Sequence, residues 1–166
     1  MPKLILASKS VSRAELLKNS CIPFISIPAN IQESQIKDQC KKQNKTVEET
    51  TLILSDTKAK KISLLYPESL ILAADQILEF NSQWFDKPLN LKEVKQRLKL
   101  LRGKSHRLVN GVVCFRGGQK VWSYNSNVKL WMRDFTDNFL DFYIKREGLL
   151  LLNSVGAYRI ESLGAQ

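Results

Sequence analysis

Residues 1–17 read MPKLILASKSVSRAELL, and the change of character inside this stretch sets the fold class. Leu4-Ile5-Leu6-Ala7 is a short continuous apolar run, as in a strand buried on both faces. It breaks into the hydroxyls of Ser8, Ser10 and Ser12 with Arg13 beside them, and Ala14-Glu15-Leu16-Leu17 resumes with helix formers. The pattern predicts a strand over 3–7, a polar loop and a helix over about 12–19, with Ser12-x-x-Glu15 fitting a capping box. Backbone N–H groups at a helix start, hydroxyls and one guanidinium suit a bound phosphate. The same residues also make an ordinary capped turn, and this stretch alone does not choose between the two.

Further along, Phe24-Ile25-Ser26-Ile27 lies between Pro23 and Pro28 as a short β-rich run. The polar stretch Gln32 to Lys45 reads as a mobile connection. Thr46-x-x-Glu49 opens a second capped helix reaching Leu65. Leu70-Ile71-Leu72-Ala73-Ala74 reads as a buried strand ending at Asp75. Ile77 to Phe85 predicts a hairpin turning at Asn81-Ser82, and Asn90-x-x-Glu93 caps a basic amphipathic helix that Gly103 ends. Alternating stretches 106–116 and 119–132 flank Gly117-Gly118, a hairpin signal. Thr136 or Asp137 caps a last helix, and Ser154 to Ile160 reads as a closing strand. The order predicts an α/β (α+β) domain around a mixed sheet.

The chain has 166 residues, enough for one domain with a core, and a formal net charge of +10. That charge favours polyanions: nucleic acid, membrane surfaces or phosphate-bearing small molecules. No apolar run approaches the roughly 20 residues of a spanning helix, and Ser8 and Ser10 interrupt the first run too early for a secretory signal. The expected compartment is the cytoplasm, with no membrane partner. Cys21, Cys40 and Cys114 are odd in number and widely spaced, and with His106 as the single histidine a zinc site has little to work with.

Three further features carry chemistry. Asp75 follows five apolar residues, at the strand end where α/β sheets place ligands. Phe85-Asp86-Lys87-Pro88 sets a lysine against a stiffening proline. Gly156-Ala157-Tyr158-Arg159-Ile160-Glu161-Ser162-Leu163-Gly164-Ala165 frames an acid with small residues. Each alone is compatible with a turn or an edge strand.

Together they resemble the Maf family of nucleoside triphosphate pyrophosphatases. The matching pieces are LILASKSVSRAELL at 4–17, Glu33, Lys58-Ala59, AADQ at 73–76 and DKP at 86–88. Gly103-x-Ser105-His106 and SVGAYRIESLGA at 154–165 complete the set, in order and over nearly the whole chain. The resemblance implies a mixed, curved β-sheet flanked by helices with a cleft between two lobes, akin to inosine triphosphatases. It implies hydrolysis of the α–β phosphoanhydride to a nucleoside monophosphate and pyrophosphate, a house-cleaning role, a divalent cation (Mg²⁺ or Mn²⁺) and a homodimer. Asp75 would be the proton acceptor. Ser8, Ser10, Arg13, Lys58 and Lys87 would bind phosphate, and Glu33 with Asp75 would face the metal. Base preference is associated with Ser12, Gln76 and Glu161. Gln76 and Glu161 point to modified guanine nucleotides such as 7-methyl-GTP, while Ser12 matches neither specificity group.

Family members continue past the Leu-Gly-Ala segment with a strand and a helix, so the resemblance implies a single, C-terminally shortened domain with reduced activity. An inactive remnant or interaction protein is therefore a competing class. A basic nucleic-acid-binding module is another, and it is disfavoured because Trp122 and Trp131 sit within apolar strand patterns.

Overall fold

The computed structural model describes residues 3–164; the expectations touching Met1, Pro2, Ala165 and Gln166 lie outside these residues. Strand β1 (Leu4–Leu6) is followed by α1 (Val11–Asn19), β2 (Ile25–Ser26), α2 (Glu33–Lys42) and α3 (Val47–Leu65). Then come β3 (Leu70–Phe80), β4 (Gln83–Phe85), α4 (Leu91–Leu101), β5 (Ser105–Arg116), β6 (Gln119–Trp131) and α5 (Asp137–Glu147). A 3₁₀ turn at Gly148–Asn153 completes the order. The strands form one six-stranded sheet in the order β2-β1-β3-β5-β6, with β4 paired to β3. β1 runs parallel to both β2 and β3, whereas β3 and β4 are antiparallel. This is the expected mixed α/β sheet with helices.

The chain divides into two compact units, residues 1–76 with 110–126, and 77–109 with 127–166. In the first, Ile5, Ala7, Ile71, Ala73, Val113 and Phe115 from the strands pack with Ala59 and Ile62 of α3. Alternation along β3 sends Ile71, Ala73 and Asp75 to that helix-covered face. α3 begins with the expected capping box: the Thr46 hydroxyl accepts from Glu49 N–H, and the Glu49 carboxylate accepts from Thr46 N–H. In the second unit, Leu78, Val94, Leu98, Leu101, Leu140 and Leu151 form the core, and Asn90 and Thr136 cap α4 and α5. Asn81 and Ser82 take positive φ at the β3–β4 turn, which fits the hairpin read there.

Five expectations need correction. The N-cap of α1 is Ser10, whose hydroxyl accepts from Arg13 N–H at 3.5 Å, so Ser12 lies inside the first turn. Residues 33–42 form α2 rather than a mobile connection. Ile36 and Cys40 sit one turn apart toward the protein, and Glu33 and Lys41-Lys42 match the helix dipole at its two ends. β3 does not end at Asp75 but runs on to Phe80. An ion-paired carboxylate needs no solvent, and Ile77 and Leu78 continue the apolar pattern. Ser154 to Ile160 is not a strand. Glu147 holds it in turns by accepting from Arg159 Nη1 at 2.9 Å and Ser162 Oγ at 2.5 Å, and Ala157 has φ +59°. Finally, β6 is an exposed edge: Trp122 and Trp131 are 50% and 73% exposed, so the alternation there marks no buried face.

Candidate active site

The end of β1 delivers Ser8, a buried hydroxyl. Its Oγ accepts from Ser10 N–H at 3.1 Å and from Arg13 Nη1 at 3.2 Å. The Ser8–Ser10–Arg13 group is thus organised before any ligand arrives, with Arg13 in the first turn of α1. The N–H groups of that turn have no partners within the helix beyond the Ser10 cap, which makes it a place for an anion.

Across from it, α3 carries Lys58 on the same helix face as Leu54, Ser55 and Ala59. Lys58 Nζ lies 2.5 Å from Asp75 Oδ1 and 2.7 Å from Glu33 Oε1. Asp75 projects from mid-strand and is 5% exposed. Burial pushes its carboxyl above the ordinary carboxylate range, against the pull of the Lys58 ammonium. Glu33 sits in the first turn of α2 at the solvent edge. Desolvation raises its carboxyl, but the Lys58 hydrogen bond and the charges of Lys58, Lys37 and Arg13 together hold it below the usual value. Burial lowers the Arg13 guanidinium, opposed by Asp75 and Glu33. The two carboxylates therefore differ in character: one buried and proton-hungry, the other exposed and held charged.

Of the residues named from the sequence, Ser8, Ser10, Arg13, Glu33, Lys58 and Asp75 come together in the first unit. Ser12 is exposed on α1. Gln76 follows Asp75, so strand alternation turns it to the other sheet face, where its Nε2 donates to Asn110 Oδ1 at 2.8 Å. Lys87 and Glu161 belong to the second unit, exposed between β4 and α4 and in the terminal turns.

Three participants were missed. Lys37 lies one turn beyond Glu33 on α2, and its charge acts on both Glu33 and Asp75. The i,i+4 spacing would have found it had 33–42 been read as a helix. Gly111 is where α3 meets β5: a Cβ there would stand 2.6 Å from Thr51 backbone carbon. Ser55 Oγ lies 2.8 Å from both Gly111 O and Thr51 O, so its one hydroxyl hydrogen is shared between strand and helix at the same crossing. Neither the glycine nor the serine carries a sequence signal beyond its size.

Among the described residues no three His, Cys, Asp or Glu side chains gather to hold a metal ion. Glu33 and Asp75, meeting on one ammonium, are the paired carboxylates. No helix is long and apolar enough to cross a membrane.

The Maf-like protein family model matches residues 3–166. A nucleoside triphosphate pyrophosphatase of Granulibacter bethesdensis is 40% identical over 164 residues, covering 99% of this chain and 83% of that protein. Another from Rhodospirillum rubrum is 37% identical over 166 residues, covering 100% and 82%. A 7-methyl-GTP pyrophosphatase of Rhizobium etli is 34% identical over 165 residues, covering 99% and 83%. With a family match spanning the strand–loop–helix start, Lys58, Asp75 and the terminal turns, the chain belongs to the Maf-like protein family.

Proposed function

We propose that this chain hydrolyses nucleoside triphosphates between the α- and β-phosphates, yielding a nucleoside monophosphate and pyrophosphate. The observation that carries the reading is the buried Asp75–Lys58 pair beside the Ser8–Ser10–Arg13 anion cradle. The family and its relatives' names agree with it.

In this mechanism Ser8, Ser10 and Arg13 grip the triphosphate. Lys58 has three ammonium hydrogens; two are committed to Asp75 and Glu33, and the third is free for a phosphate oxygen. Asp75 accepts a proton from water as the water oxygen bonds to the α-phosphorus. The bridging α–β P–O bond breaks and its electrons leave with pyrophosphate. Burial suits Asp75 to this task, since a raised carboxyl is a stronger base. Arg13, Lys58 and Lys37 neutralise the departing charge, and Lys87 is assigned the same role from the resemblance. Ser12, Gln76 and Glu161 are the proposed readers of the base.

A divalent cation fits the donor set. Mg²⁺ in phosphoryl sites is held by one or two carboxylates together with substrate phosphates and water, and Glu33 and Asp75 are such a pair. They would hold it with the nucleotide's own oxygens, and when bound it would neutralise phosphate charge.

The test is pyrophosphate release from a panel including 7-methyl-GTP, GTP, dTTP and UTP with Mg²⁺, using Asp75→Asn as the comparison. Turnover should fall by about 10²–10⁴-fold in the variant. No release from any nucleotide would sink the proposal, and an unimpaired Asp75→Asn would remove Asp75 as the base.

A further inference from the structure

In the second unit, residues 85–89 run from the end of β4 toward the cap of α4 as a short strap, with Lys87 exposed at its middle. Both ends of the strap meet one turn of α4. Before Lys87, the Arg97 guanidinium carbon sits 5.2 Å from the centre of the Phe85 ring, and Nη1 donates to Asp86 O. After it, Leu89 N–H donates to Glu93 Oε2 at 3.0 Å. Glu93 and Arg97 stand at i and i+4, so they share one side of the helix. Pro88, next to Lys87, is buried and has its φ fixed by its ring. The backbone is therefore held on both sides of Lys87. Arg97 does more than close the strap. Nη1 carries two hydrogens, and the second goes to Val155 O at 2.7 Å. Val155 is a buried member of the second unit's core, so one nitrogen moors the residue before Lys87 to a carbonyl that packing keeps still. A lysine at 97 would end one bond short of Nη1 and lack the planar fork.

We infer that Arg97 is a positioning residue for Lys87, setting where the Lys87 ammonium stands as pyrophosphate departs. Arg97 touches the strap and the core, not substrate. The assignment rests on the pyrophosphatase reading above and on the role given there to Lys87, and it deepens that reading by naming what makes an exposed lysine effective. An ammonium on a flexible four-carbon stem loses rotamer freedom when it meets a phosphate. On a loose loop it would lose backbone freedom as well; on a strap already fixed by Arg97 and Glu93 it does not.

The test is a double-mutant cycle on the full chain, reading kcat and KM for pyrophosphate release with Mg²⁺ from the nucleotide that wild type turns over fastest. Lys87→Ala should lower kcat by about 10²-fold, the scale of one lost charge-stabilising donor. Arg97→Met keeps an unbranched apolar stem, and it should lower kcat by about ten- to a hundredfold through misplacement of Lys87. Its KM should move by less than about threefold, because the lost interaction belongs to the transition state. The double variant should lie within about threefold of Lys87→Ala, since an absent lysine needs no positioning. Should Arg97→Met melt below the assay temperature, Arg97→Lys carries the same cycle. Losses that multiply in the double variant make Arg97 merely structural and overturn the assignment. A raised KM with unchanged kcat in the Arg97 variant, or an unimpaired Lys87→Ala, also overturns it, and each of these leaves the pyrophosphatase reading standing. No release from any nucleotide by wild type overturns the pyrophosphatase reading itself, and the positioning role with it.

Discussion

Gly111→Ala isolates the crossing of β5 under α3. The new Cβ would stand 2.6 Å from the Thr51 carbonyl carbon and 2.7 Å from both Thr51 O and Leu52 N. These are backbone atoms, so no rotamer relieves the clash. Carbon contacts settle near 3.5–4.0 Å, so α3 must retreat by about 1 Å at this point. Gly111 is not among the glycines with positive φ, so the backbone itself accepts alanine, and the stiffer unfolded chain favours it by about 0.4–1 kcal/mol. Against this stand about 1–3 kcal/mol for forced insertion and about 0.5–1.5 kcal/mol for stretching the buried Ser55–Gly111 bond. The balance is a loss of about 1–3 kcal/mol, read by urea denaturation. Lys58 lies two turns beyond Thr51 on the same helix, and a misplacement near 1 Å costs up to about 10²-fold in turnover. Gly103→Ala is the control: its φ is +66° with nothing within 4 Å, so it should lose about 1–2 kcal/mol from backbone strain and keep its turnover. A Gly111→Ala protein within about 0.5 kcal/mol and twofold of wild type would refute the argument, since that is the scale of an ordinary surface change.

Lys58→Met removes the cation that opposes burial at Asp75. The Asp75 carboxyl then rises further, and the acidic limb of the kcat/KM–pH profile moves to higher pH; an unmoved limb contradicts the pairing. Asp75 already titrates above its unfolded value, so its contribution to stability is full below the unfolded pKa and lost as pH rises through the folded one. The variant should therefore lose about 3–5 kcal/mol once Asp75 is ionised and much less in mild acid, by denaturation at the two conditions. Tyr158→Phe strips the hydroxyl 2.8 Å from His106 Nε2, whose buried Nδ1 already lacks a partner among the described residues. It should cost about 1–3 kcal/mol, and the double change with His106→Phe should recover much of it; no recovery would place the cost elsewhere. Glu147→Ala frees Arg159 and Ser162. Hydrogen bonding from Ser162, with Arg159 beside it, holds the Glu147 carboxyl low despite desolvation, so the clasp is present above the unfolded pKa and lost as pH falls through the folded one. Limited proteolysis of residues 154–164 should accelerate in the variant at neutral pH and match wild type in acid. Equal rates at neutral pH would remove the clasp.

Local chemistry made most of the fold legible. Thr46, Asn90 and Thr136 are caps in the structure because a short side-chain oxygen before an apolar period satisfies the orphan N–H groups of a helix wherever it sits. The strands β1 and β3 form at the apolar runs that announced them, and β5 covers the alternating stretch 106–116, because side-chain periodicity follows directly from which face is buried. The errors share a cause. α2 was hidden because its apolar stripe is only Ile36 and Cys40, too narrow to stand out from ten mostly polar residues. Asp75 seemed to end a strand because a carboxylate is costly to bury, and the cation that offsets the cost lies 17 residues earlier, on helix α3. The terminal segment looked like a strand because alternation of small and large residues is also what a turn held by side-chain hydrogen bonds can show. Long-range partners decide such cases, and Gly111 and Ser55 were missed on the same account.

Asp75 in mid-strand is better placed for proton abstraction than it would be at a strand end. Backbone pairing continues on both sides of it, with β1 partnering residues 70–72 and β4 partnering residues 78–80, so its carboxylate moves only if the sheet does. Lys58 is equally constrained, because α3 is pressed onto β5 at Gly111 and bonded there through Ser55. Of the groups proposed to meet the triphosphate and its cation, Arg13 and Glu33 sit on looser elements: α1 has no buried residue and α2 has one, Cys40. Elements with few buried contacts open and shift at low cost. The proton acceptor and its cation are thus fixed by core packing, while Arg13 and Glu33 can adjust to the triphosphate. Turnover should accordingly be far more sensitive to packing changes at the α3–β5 crossing than to equivalent changes in α1.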